Sequence, residues 1–208
     1  SVGNGLGRIF HPESVAVIGA SADEQSERWT GWVGRLQQFD YKGRVYPINP
    51  KAPQILGLKA YASVLDVPDE VDYAIIGVRA SLVPALLREC VSKKVKVVHI
   101  YSGGFADSGK DAGKKLQQEL AEVIKGSETR VIGPNCLGIY CPSTGLSFNP
   151  AFSRRSGPVA VVSQTGAALV RILPLAHSRG IHFSKVISYG NALDIDSPEL
   201  LEYMADDP

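Results

Sequence analysis

Five short stretches of this 208-residue sequence carry the residue types that hold phosphates and nucleotides. They are Gly19-Ala20-Ser21, Asn49-Pro50-Lys51, Val78-Arg79-Ala80-Ser81, Ser102-Gly103-Gly104-Phe105 and Gly133-Pro134-Asn135-Cys136. Each follows an apolar, β-branched run. Backbone can approach a ligand closely at Gly19, Gly103, Gly104 and Gly133, because no Cβ intervenes. The glycine spacing is not that of a nicotinamide site. After Ile18-Gly19 the chain runs Ala20-Ser21-Ala22-Asp23-Glu24, and the next glycines are Gly31 and Gly34. An NAD site also places an acid about 20 residues past its glycines to hold the ribose hydroxyls. Here Lys51 stands about 30 residues past Gly19, with no acid adjacent. A lysine prefers a phosphate. The pattern therefore disfavours NAD and favours a nucleotide with an additional ribose phosphate, either NADP or the 3′-phospho-ADP of coenzyme A. Taken singly, these stretches read as an ordinary βα turn, a solvated lysine and a tight sheet connection. Taken together, one ligand explains all five. A sixth stretch, Ser163-Gln164-Thr165-Gly166, lies where a strand meets a helix. Free N–H groups and the positive end of the helix dipole make such a junction an anion cradle, although an ordinary serine cap would look the same.

The elements that must position these residues follow from the hydrophobic pattern. Strands are predicted over 14–19, 44–48, 72–78, 95–101 and 130–132, and helices over 28–39, 81–92 and 110–125. The strands read as nearly continuous apolar runs, the mark of a parallel sheet covered on both faces. Strand and helix in alternation predict a doubly wound, Rossmann-like α/β unit, whose ligands bind outside the carboxyl ends of the strands. Residues 142–158 are rich in Pro, Ser and Gly without a clear period and read as a linker or crossing loop. The pattern then restarts with a strand over 159–162, a helix over 165–179, a strand over 185–189 and a helix near Ser197-Pro198-Glu199. The expected division is 1–141 for the first unit, 142–157 for the linker and 158–208 for an incomplete second α/β unit. Two strands are too few for an independent sheet, so the second unit is expected to continue beyond this sequence or to lean on a partner.

Bulk properties exclude several function classes. Hydrophobic residues make up 44% of the chain, mean hydropathy is near zero and the formal charge is +1. A sizeable core is available, and there is no electrostatic case for nucleic acid or an anionic membrane. No apolar run approaches the ~20 residues that span a bilayer, and the first residues do not form a secretory signal. The three cysteines, Cys90, Cys136 and Cys141, form no CxxC pair and read as reduced cytoplasmic thiols.

The sequence also resembles a known family. Gly19-Ala20-Ser21, Lys42 to Lys51 (KGRVYPINPK), Ser102 to Phe105, Gly133 to Gly138 (GPNCLG) and Val161 to Gly166 (VVSQTG) resemble the NDP-forming acyl-CoA synthetases, particularly the ADP-forming acetate–CoA ligases and the succinyl-CoA synthetase α subunit. The resemblance runs in order from about Leu6 to the last residue. It implies a CoA-binding domain followed by the start of a flavodoxin-like ligase domain. By that likeness CoA would be held by Gly19, Ser21, Asn49, Pro50 and Lys51 at its phosphates. Val78, Arg79 and Ala80 would lie beside the adenine or pantetheine, Ser102, Gly103, Gly104 and Phe105 along the pantetheine, and Asn135 near the thiol. Ser163, Gln164, Thr165 and Gly166 would cradle phosphate or acyl phosphate. One departure concerns the first turn. Members of the family have a Pro-Gly-Lys type turn there, whereas this chain has Asp23 to Trp29 (DEQSERW), with Arg28 expected to supply the missing positive charge.

The resemblance further implies what this sequence lacks. The family's phosphorylated histidine lies in a Gly-His-Gly/Ala context, and none of His11, His99, His177 or His182 has it. No catalytic residue is therefore expected in this chain, and no metal site. ATP and Mg²⁺ would be bound by an ATP-grasp domain or β subunit outside it, and an oligomer is expected. The implied activity is synthesis of an acyl-CoA from a small carboxylic acid, CoA and ATP, through an acyl phosphate. Two other readings stand beside it. One is a CoA-sensing module of an acetyltransferase fusion that has lost the histidine. The other is an NADP-dependent oxidoreductase, for which no catalytic Lys, Tyr or His arrangement is evident.

Overall fold

A computed structural model describes residues 6–21 and 31–205. In chain order the first unit comprises α1 (Gly7–Phe10), β1 (Ser14–Ile18), α2 (Trp32–Gln38), β2 (Arg44–Ile48), a hairpin of β3 (Gln54–Ile55) and β4 (Leu58–Lys59), β5 (Tyr73–Ile76), α3 (Val83–Ser92), β6 (Val97–Ile100), α4 (Asp111–Ile124) and β7 (Arg130–Ile132). The five long strands form one all-parallel sheet in the order β2-β1-β5-β6-β7. This is the doubly wound fold that the continuous apolar runs predict. Residues of β1, β5 and β6 are buried on both faces. Their side chains alternate between two cores. Ala16, Ile18, Ala74, Ile76, Val98 and Ile100 pack under α3 and α4 with Val83, Leu87 and Leu120. Val15, Val17, Tyr73, Ile75 and Val97 pack on the opposite side with α1 and α2. The short α1 and the β3–β4 hairpin lack a sequence signal of their own; α1 is anchored by the full burial of Ile9 and Phe10.

The second unit contains β8 (Gly138–Cys141), β9 (Leu146–Ser147), β10 (Ser156–Ser163), α5 (Gly166–Ser178), β11 (Phe183–Ser188) and α6 (Ser197–Ala205). Its sheet runs β10-β11-β8-β9, with β10 and β11 parallel and the other pairs antiparallel. The region expected as a linker thus contains ordered structure. Residues 138–141 supply a strand of the second sheet, and 142–157 hold a 3₁₀ turn, β9 and the first residues of β10. Phe148 and Phe152 explain why this stretch is ordered despite its Pro, Ser and Gly content. They are buried with Tyr140, Leu169, Leu173 and Phe183 in a third core. Their anchoring depends on residues far away in sequence, so no local period reveals it.

The two units share a core. Ile187, Ile195 and Leu200 join the face of the first sheet that α1 and α2 cover. Beyond β11 the backbone runs along the free edge of β7. There the N–H groups of Asn191, Leu193 and Ile195 donate to the carbonyls of Pro134, Gly133 and Val131 at 2.9, 2.9 and 3.2 Å. Arg130 locks this junction. Its guanidinium donates to both oxygens of Asp194 at 2.9 and 3.1 Å and both oxygens of Glu199 at 2.8 and 2.7 Å. The Asp194 carboxylate also accepts from the Val131 N–H at 2.8 Å. No helix among the described residues is long and apolar enough to cross a membrane.

Candidate functional site

The carboxyl ends of the five parallel strands form one continuous rim. In sheet order it carries Asn49-Pro50-Lys51, Gly19-Ala20-Ser21, Gly77 to Ala80, Ser102 to Phe105 and Gly133 to Asn135. At about 4.8 Å per strand the rim is about 19 Å wide, enough for an elongated ligand. Gly19, Ser21, Pro50, Lys51, Arg79, Gly103, Gly104 and Asn135 are exposed along it. Arg28 lies outside the described residues.

Several of the predicted site residues brace the rim with their side chains. The Asn49 amide donates to the Ala20 carbonyl at 2.7 Å, and its oxygen accepts from the N–H groups of Lys51 and Ala52 at 2.7 and 3.1 Å. It ties the turn after β1 to the end of β2. Ser102 performs the same task between the ends of β5 and β6. Its hydroxyl accepts from the Val78 N–H at 3.1 Å and donates to the Val78 carbonyl. Phe105 is fully buried in the core under α3 and α4, so its side chain anchors the loop from below. Gly19 also has a packing reason to lack a Cβ. Its φ is +89°, and a Cβ there would lie 2.5 Å from the Val78 side chain. The space is filled by protein. Gly104 does present open backbone to the rim. Gly104 has φ +99° and only Ala80 nearby, and a Cβ on Gly103 would meet the Asn135 side chain at 3.0 Å.

At the β6–β7 end, the rim opens into a cavity of about 580 Å³ between the two units. The first unit contributes Tyr101, Gly103, Asn135, Cys136 and Leu137; the second contributes Gln164, Thr165, Gly166, Ala167, Gly190 and Asn191. The cavity thus joins Gly103 and Asn135 with Gln164, Thr165 and Gly166, two groups separated in sequence. Asn135 has φ +59°, follows a cis Gly133–Pro134 bond, and its N–H donates to the Ser102 carbonyl at 2.9 Å. The 13-residue α5 starts at the cavity wall. Its N-cap is Thr165, with no side-chain cap, so the first N–H groups of the helix remain available there. Ser163, considered as a cap from the sequence, instead donates to the Thr165 carbonyl at 3.0 Å and shapes the turn. Gly166 lets α5 approach, because a Cβ would lie 2.4 Å from the Leu137 side chain. The Gly19, Lys51 and Arg79 group lies elsewhere on the rim and does not line this cavity.

The Cys136 thiol beside the cavity is buried. Burial pushes the Cys136 thiol well above the ordinary range, despite a Gly138 N–H that favours the thiolate. Among the described residues, no three His, Cys, Asp or Glu side chains are placed to hold a metal ion. None of the histidines joins the cavity lining. His99 is a buried strand residue: its Nε2 lies 3.1 Å from the Cys136 carbonyl, and burial lowers its pKa to about 4. Tyr101, Cys136, Leu137, Ala167, Gly190 and Asn191 are the lining residues that were not among the site residues expected from the sequence. Asn191 follows Tyr189-Gly190, a turn whose role is visible only where the second unit crosses β7.

Comparisons with known proteins identify the families to which the two units are similar. A family model described as CoA binding domain matches residues 13–142, and one described as succinyl-CoA ligase-like flavodoxin domain matches residues 156–208. An ADP-forming acetate–CoA ligase of Methanocaldococcus jannaschii is 43% identical over 202 residues, covering 96% of this chain and 28% of the relative. The α subunit of ADP-forming acetate–CoA ligase I from Pyrococcus furiosus is 41% identical over 208 residues, covering 97% of this chain and 44% of the relative. The apo structure of a dinucleotide-forming acetyl-coenzyme A synthetase 1 from Ca. Korarchaeum cryptofilum superposes with a TM-score of 0.88 at 35% identity, over 98% of this chain and 44% of that one. The chain therefore spans less than half the length of these relatives.

Proposed function

Because the chain belongs to the CoA-binding domain family and runs on into a succinyl-CoA-ligase-like flavodoxin unit, we propose that it is the CoA-binding part of an ADP-forming acid–CoA ligase. The observation that carries this reading is the cavity, where the rim of the parallel sheet meets the uncapped N-terminus of α5. CoA would lie along the rim with its phosphates toward Gly19, Ser21, Pro50 and Lys51 and its pantetheine past Val78, Arg79, Ala80, Gly103 and Gly104. Asn49, Ser102 and Phe105 would hold the loops rather than the ligand. The thiol would enter the cavity beside Asn135. There it would attack the acyl carbon of an acyl phosphate: the C–S bond forms, the C–O bond to phosphate breaks, and phosphate, having taken up the thiol proton, leaves toward Gln164, Thr165 and Gly166. The helix N–H groups and dipole favour that anion.

Phosphoryl transfer from ATP to the acid would use a histidine, an ATP-grasp unit and Mg²⁺ contributed from outside this chain, since P–O chemistry needs charge neutralisation that these residues do not supply. A partner domain or subunit is supported by the apolar groups left exposed on α5, among them Val170, Ile172 and Leu175. Three free, buried cysteines suit a cytoplasmic enzyme. The relatives named above carry ligase and synthetase names, which favours this reading over an acetyltransferase-fused sensor.

Calorimetric titration of the protein with CoA, with NADPH as control, tests the proposal. Saturable CoA binding with NADPH silent is the expected result. Binding of NADPH without CoA would overturn it.

A further inference from the structure

The loop that would carry the pantetheine arm is held in an unusual way. Three consecutive N–H groups of Gly104, Phe105 and Ala106 end on side chains rather than on backbone. Those of Gly104 and Phe105 donate to the Asp107 carboxylate at 3.0 and 2.9 Å, and that of Ala106 donates to the Gln117 side-chain oxygen at 3.2 Å. A single amide from the second unit joins these two acceptors. Nδ2 of Asn191 donates to Asp107 Oδ1 at 3.0 Å and to Gln117 Oε1 at 2.9 Å. The Asn191 backbone N–H meanwhile donates to the Pro134 carbonyl, next to Asn135. One residue of the second unit therefore fixes both loops that border the cavity from the first unit.

We propose that Asn191 is a positioning residue for CoA, setting the 103–106 loop for the pantetheine arm through Asp107 and Gln117, and so coupling the acyl-phosphate side of the cavity to thiol placement. This rests on the CoA reading given above. An amide suits the task because both of its N–H protons meet acceptors. A carboxylate at the same position offers no donor and faces Asp107 across 3 Å, so like charges would push the loop away.

The test compares two ligands on the intact protein. CoA spans the whole rim, whereas adenosine 3′,5′-bisphosphate carries the nucleotide end without the pantetheine. Asn191→Asp is expected to weaken CoA by about tenfold, to leave adenosine 3′,5′-bisphosphate unchanged, and in the assembled enzyme to raise KM for CoA with KM for the acid unchanged. An equal loss for both ligands or an unchanged CoA affinity would overturn the inference. A wild-type protein that binds adenosine 3′,5′-bisphosphate but not CoA would overturn the CoA reading itself.

Discussion

Lys51 and Gly19 show how differently two rim residues can serve one site. Lys51 stands exposed just past β2, with no secondary-structure reason for its charge. A charge-assisted contact to the 3′-phosphate would make it selective. Lys51→Ala should weaken CoA by tenfold or more, on the order of one such hydrogen bond. Dephospho-CoA should lose much less, and parallel titrations of the two ligands decide the matter. Equal losses would move the lysine to the pyrophosphate. Gly19, by contrast, is a packing residue. With φ at +89° and Val78 where a Cβ would sit, Gly19→Ala combines backbone strain with a clash. A loss of about 1–3 kcal/mol in unfolding free energy is expected from denaturant melts, with CoA affinity falling as the β1 turn shifts.

At the scale of elements, β6 carries a pH liability. The Cys136 carbonyl can only accept, so Nε2 of His99 carries the proton and Nδ1 is left as a buried atom without a partner. Gly138 closes over the ring, since a Cβ there would lie 2.3 Å from it. Burial holds the imidazole neutral down to about pH 4, against an ordinary value of 6.5. The unfolded state therefore binds more protons between these two values, and stability falls as pH drops through that window. The total is up to about 3 kcal/mol by linkage. Urea melts at stepped pH should show this slope in the wild type and a flatter one in His99→Gln. Glu199 and Asp107 act lower in the range. The Arg130 hydrogen bond holds the Glu199 carboxyl below its ordinary value. At Asp107, burial works the other way and is outweighed by the Gly104 N–H, the Asn191 amide and the Phe105 N–H. Both contributions are lost only as pH falls below the ordinary carboxylate range, and both remain in the His99 variant.

Across the whole molecule, the junction between units is as much a part of the site as the rim. Arg130 answers two carboxylates at once, and the Glu199 hydrogen bond is the leading reason its guanidinium is held in the charged form. Arg130→Gln leaves Asp194 and Glu199 partly buried without their cation. A loss of about 2 kcal/mol in stability is expected, below the range for a fully buried pair because these groups keep some solvent. Binding should suffer too, because residues 191–195 reach the 133–135 loop from this junction. A fall in stability with CoA affinity unchanged would show that the junction and the site are independent.

Much of this protein is legible in its sequence. The five parallel strands, their order of appearance and the small, polar or basic character of their ends follow from continuous apolar runs and from glycine placement, which are local signals. The anion-binding character of the α5 start is likewise local, because any helix N-terminus offers free N–H groups. The tertiary structure alone decided the rest. It turned Asn49 and Ser102 into braces, filled the space beside Gly19 with Val78, drew residues 138–147 into the second sheet and brought Asn191 to Asp107. Each of those outcomes rests on hydrogen bonds or contacts between residues distant in the chain. Such pairs have no period and no spacing to read, because they come into being only when the two units fold onto one another.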